Sequence, residues 1–162
     1  MDKIELKQLV ERCVREQIYN LIEYAHPRKV FIERVEYLSK QIIIHYCLIK
    51  YYKYIGNFDY INHWKNELVG WISNIANIEI KGNNSKDARY KAIMQAFDNM
   101  GYLSNDKQIL NAFAWKAKTE NVNLSDNIIS TIIHDCQNDL IIIADIMAEN
   151  NPTKCFDFID KI

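Results

Sequence analysis

Residues 41–72, QIIIHYCLIKYYKYIGNFDYINHWKNELVGWI, decide the fold. From Ile42 to Ile49 every helical side is apolar except at His45. A helix without a polar side is usually enclosed by other helices. The run is rich in branched residues and also fits a strand. Length arbitrates between the two. Phe31, Val35, Leu38, Ile42, Ile49 and Tyr52 form one stripe uninterrupted by Gly or Pro, which predicts a helix, or two helices in line, over 28–55. Gly56-Asn57 stops it, because glycine accepts the left-handed position after a helix at no steric cost. Ile61, Trp64, Leu68, Trp71, Ile72 and Ile75 then recur at helical spacing, predicting a third helix over 60–78 with Asp59 as its cap.

Outward from this stretch the same logic applies. A first helix is predicted over 3–25, capped by Asp2, with Leu6, Val10, Cys13, Leu21 and Tyr24 on one face. His26-Pro27 ends it, since the residue before proline avoids helical geometry. After the loop Lys81–Ser85, Ser85 caps a fourth helix over 86–100, with Ala92, Ile93, Ala96, Phe97 and Met100 inward, and Gly101 ends it. Ser104 opens a fifth to Ala117 around Ile109, Leu110 and Phe113. Ser125 caps a sixth over 126–149, whose stripe is Ile129, Ile132, Ile133, Cys136, Leu140, Ile143, Ala144 and Met147. Pro152 starts a last short helix, docked by Phe156, Ile159 and Ile162. Four glycines and two prolines are too few for the turns of a sandwich or barrel. The expectation is an all-α single domain, 1–162, of six or seven helices packed around a central hydrophobic helix.

Signatures of chemistry do not accompany this pattern. Cys13, Cys47, Cys136 and Cys155 are far apart and form no zinc-ligand spacing, so they read as buried thiols in a reducing compartment. His26, His45, His63 and His134 show no metal-binding spacing, and His45 reads as a hydrogen-bonded core residue. In His134-Asp135-Cys136 neighbouring side chains diverge by about 100° on a helix, so they cannot chelate one ion. Phosphate loops and nucleophile elbows are absent from the sequence. The expectation is no enzyme, no cofactor and no metal. The N-terminal residues lack the apolar core of a signal peptide, and the longest apolar runs are far short of the roughly 20 residues that span a bilayer. A cytoplasmic protein is expected.

Charge is uneven although the net is only −1, which argues against binding nucleic acid by overall charge. Residues 81–118 carry seven basic and three acidic groups; residues 119–162 carry eight acidic and two basic. Asp135, Asp139, Asp145 and Glu149 read as an acidic face of the sixth helix, turned away from its apolar stripe. Such a face would suit a basic partner protein. Between Tyr46 and Trp71 there are more rings than one stripe can bury. Tyr51, Tyr54 and Phe58, near the helix end, are therefore candidates for a contact surface, where tyrosine is favoured. An alternative is a helical adaptor of a phage or defence system, binding nucleic acid or protein through the basic 81–118 segment.

This helical, glycine-poor, tyrosine-rich chain, acidic over 119–162, resembles in general character the small immunity proteins that bacteria pair with toxins, such as those of contact-dependent growth inhibition. The resemblance implies a non-enzymatic inhibitor that covers the substrate groove of a toxin nuclease; it aligns no residues. HYCLIKYYKY followed by HWKNELVGWI is also similar to a bacterial helical family of unknown function.

Overall fold

The computed structural model describes residues 2–162, except for the side chains of 18–25, 126 and 152. Seven α-helices account for the architecture: α1 (Lys3–Ala25), α2 (Pro27–Tyr54), α3 (Ile61–Ala76), α4 (Lys86–Asn99), α5 (Asp106–Thr119), α6 (Asp126–Ala148) and α7 (Cys155–Lys161). A single 3-10 turn, Pro152–Lys154, leads into α7. No strand occurs among the described residues. The chain is an all-α single-domain bundle.

The axis is α2, about 42 Å long at 1.5 Å per residue. It packs against α3, α4, α5 and α6. Ile42 to Ile49 are all buried, His45 included, as an all-round apolar helix requires. α3 and α6 pack on one another, and α7 closes over α3. Cys47, Cys136 and Cys155 are buried; Cys13 is exposed, contrary to expectation, as are Leu6 and Val10 beside it on α1. The predicted face residues Leu21 and Tyr24 lie outside the described side chains. Ile159 and Ile162 dock α7, whereas Phe156 is half exposed.

Helix ends follow local chemistry. Asp2 and Glu5 form a reciprocal capping box: the Glu5 N–H donates to Asp2 Oδ1 at 2.8 Å, and the Asp2 N–H to Glu5 Oε2 at 3.3 Å. Ser85 Oγ accepts the Ala88 N–H at 3.2 Å. α5 is capped by Asn105, whose Oδ1 accepts the Lys107 N–H at 3.0 Å, one residue beyond the predicted Ser104. Asp59 does not cap α3: Tyr60 holds that position without a side-chain bond, while the Asp59 N–H donates to Asn57 Oδ1. Three helices end by one device, a left-handed residue followed by a six-to-one hydrogen bond. Gly56 (φ +72°) is followed by Asn57 N–H to Tyr52 O at 3.0 Å, and Gly101 (φ +76°) by Tyr102 N–H to Phe97 O at 3.0 Å. Asn121 (φ +53°) is followed by Val122 N–H to Ala117 O at 3.0 Å.

Candidate partner-binding surface

At the α2–α3 end the aromatic residues divide into a buried set and an exposed set. Tyr46 is wholly buried and donates its hydroxyl to Asp139 Oδ2; burial, and then this carboxylate, push its pKa up. Tyr51 is a correction to the sequence reading. It is buried, meets the Tyr52 ring edge-on at 5.4 Å, and its hydroxyl accepts the Asn123 N–H at 3.1 Å. The α5–α6 loop closes over that position, so Tyr51 ties a loop down and offers no contact surface. Tyr52 is also buried, its pKa raised by desolvation, with the Tyr60 ring at 5.6 Å.

The exposed set follows directly. Tyr54, Ile55, Phe58 and Tyr60 are 48%, 46%, 65% and 54% exposed. They flank the Gly56 turn, and two hydrogen bonds fix its path: Gly56 N–H to Lys53 O at 3.3 Å and Asn57 N–H to Tyr52 O at 3.0 Å. Tyr54 donates to Asp135 Oδ2 at 3.2 Å; partial burial, and then Asp135, raise its pKa. Ile55 and Tyr60 were absent from the sequence-derived site. Their position in the polar-looking turn region 55–60 was the available signal.

The acidic face proves different from its expectation. Asp135 and Asp139 turn toward α2 and not away from the apolar stripe. Asp139 accepts from Tyr46, and Asp135 lies 3.6 Å from Lys50 Nζ, which itself sits 5.8 Å from the Tyr46 ring centroid. Asp145 lies 3.2 Å from Lys86 Nζ, and Glu149 contacts Lys86 at 2.5 Å and Lys154 at 3.0 Å. The bond from Lys86, then that from Lys154, holds the Glu149 carboxyl below its ordinary range. All four carboxylates therefore have internal donors. The outward side of α6 carries exposed His134, Asn138, Ile141 and Ile142 together with Asp145, the one of the four that is exposed as expected.

The basic segment is taken apart in the same way. Arg89 is fully buried. Its Nε donates to Ala148 O at 3.0 Å, and Nη2 donates to Met147 O, Ala76 O and Ile75 O at 2.8, 3.2 and 3.3 Å. Nη1 donates to Asn84 Oδ1 at 2.9 Å and to Ile78 O. One guanidinium thus satisfies the orphan carbonyls at the C-terminal ends of α3 and α6, where the helix dipoles also favour a cation. The Phe31 ring, 5.3 Å from Cζ, covers it. Burial lowers its pKa. Lys91 pairs with Asp87, and Lys116 with Glu120.

His45 is packed as a core residue. Its Nδ1 lies 2.6 Å from Gln41 O, its ring lies 5.5 Å from Trp64 and 6.2 Å from Trp71, and burial lowers its pKa. His134 is exposed while Cys136 is buried, so the tempting His-Asp-Cys run diverges. No group of three metal-ligating side chains converges among the described residues. No described helix is long and apolar enough to cross a membrane. Comparison with protein families, curated proteins and solved structures gives no match.

Proposed function

We propose that the protein is a non-enzymatic binding protein that inhibits a partner protein, in the manner of an immunity protein acting on its cognate toxin. Tyr54, Ile55, Phe58 and Tyr60 make the contact. One observation carries this reading: large apolar and aromatic side chains, about half exposed or more, on a turn whose backbone is fixed by a glycine and two hydrogen bonds. Such side chains on a fixed backbone lose little entropy on docking, and buried aromatic anchors typically dominate an interface. The acidic residues of α6, already matched by Lys50, Lys86 and Lys154, take a supporting part at most. Titrating the purified protein into the toxin encoded by the neighbouring gene tests the reading. Stoichiometric loss of toxin activity is expected, with Phe58→Ala weakening inhibition by roughly tenfold or more, the size of a hot-spot truncation. Undiminished toxin activity at excess protein refutes it.

A further inference from the structure

Cys47 of α2 and Cys136 of α6 meet in the core. Both are 0% exposed, and the Cys136 thiol lies within hydrogen-bonding reach of the Cys47 thiol. Contacts on either side fix this register. Tyr46, one residue before Cys47, donates its hydroxyl to Asp139, and Lys50, three residues after it, lies 3.6 Å from Asp135. Residue numbers rise along α2 as they fall along α6, so the two helices run antiparallel and the cysteines sit between those two contacts. Facing positions of helices packed about 8–10 Å apart have Cα atoms about 4–6 Å apart, the separation a disulfide spans. The other two cysteines have different surroundings: Cys155 lies 4.0 Å from Ser73 Oγ, and Cys13 is exposed on α1.

We propose that the pair is a redox latch: oxidation joins Cys47 to Cys136 by a disulfide that pins α6 to α2, and burial preserves the state in which the chain folded. An external disulfide, such as oxidised glutathione, is the oxidant. One protein thiolate attacks it and releases a glutathione; the second attacks the mixed disulfide and releases another. The two thiol protons and two electrons end on the two glutathione molecules. In the folded chain this exchange is slow. Neither sulfur is accessible, and burial, then the neighbouring Cys47, pushes the Cys136 thiol up, so little attacking thiolate forms. The bond is therefore made while the chain folds or when α6 opens from α2, and the closed core then shields it from reductant. It closes a loop of about 90 residues and so constrains the unfolded chain strongly. This inference is independent of the surface at the α2–α3 turn.

The test refolds the Cys13→Ser chain from urea, either into a mixture of reduced and oxidised glutathione or into reduced glutathione alone, and maps the thiols by mass after acid quenching. The substitution removes the one exposed thiol. In the mixture Cys47 and Cys136 should be linked while Cys155 stays reduced, and the urea midpoint should rise by roughly 1–2 M over that of the reduced chain. Reduced glutathione should then open the bond roughly tenfold or more slowly in buffer than in urea near the midpoint. Cys136→Ala should abolish the link, and the map of the linked peptides identifies the pair without relying on that variant. A refolded chain that keeps all three thiols, that links Cys155, or whose linked form unfolds at no higher urea than the reduced form overturns the proposal. Equal rates of reduction in buffer and in urea overturn the shielding.

Discussion

Replacing Arg89 by methionine removes the group that joins the ends of α3 and α6. Methionine keeps most of the stem volume and leaves the carbonyls of Ala76, Ile78, Met147 and Ala148 without their donor, while Ile75 O keeps the Ile78 N–H at 3.1 Å. An orphaned buried acceptor costs about 1–3 kcal/mol. Taking about 1 kcal/mol for each, because four neighbouring groups relax together, gives about 4 kcal/mol. That is a large part of the roughly 5–15 kcal/mol that holds a domain folded. Replacing a buried ion pair by hydrophobic residues is often harmless, but there both partners are exchanged. Here the acceptors are main chain and remain after any substitution. Arg89→Lys keeps the charge, yet its three protons reach at most three acceptors, so about 2–3 kcal/mol is expected. The assay is urea unfolding followed by circular dichroism. At a slope of roughly 2 kcal/mol per molar, Arg89→Met should lower the midpoint by roughly 2 M and Arg89→Lys by roughly half of that. An Arg89→Met midpoint within roughly 0.5 M of the parent would refute the clamp.

Other perturbations give smaller, directional effects. Burial holds the folded pKa of His45 below 6.5, so its neutral form stabilises the fold above that pH and the contribution is lost as pH falls through the depressed value. Urea midpoints should therefore decline from about pH 7 to about pH 5, less so in His45→Gln; equal slopes in the two proteins would contradict this. Tyr46→Phe strips the donor from partly buried Asp139 and should cost about 1–2 kcal/mol by the same unfolding assay, no change being the adverse result. Gly56→Ala meets no atom within 4 Å but holds alanine at φ +72°, so a loss of about 1 kcal/mol from backbone strain alone is expected. A neutral or stabilising Gly56→Ala would show that the turn relaxes.

The helices were legible because apolar spacing and punctuation agree along most of the chain. The α2 stripe and the stops at Gly56 and Gly101 needed no tertiary information. What failed depended on cross-helix register. Asp135 and Asp139 looked solvated because α6 alone does not show that Tyr46, Lys50 and Tyr54 of α2 lie opposite them. Arg89 looked like part of a basic surface, although it lies three and four residues before Ala92 and Ile93 and so on the buried face of α4. Arginine in that stripe was the sign of a buried clamp, and composition by segment hid it. Tyr51 was similar: it lies four residues after buried Cys47, but the loop that covers it comes from residues 120–124. The exposed aromatic turn was read in part, since Tyr54 and Phe58 were named and Ile55 and Tyr60 were not.

The claim that the α2–α3 turn is the docking surface is tested most directly by amide hydrogen exchange of the protein alone and in complex with the neighbouring-gene toxin. Slowed exchange centred on residues 54–61 is the expected result. Protection confined to the outward side of α6 or to α4, with residues 54–61 unchanged, would contradict it.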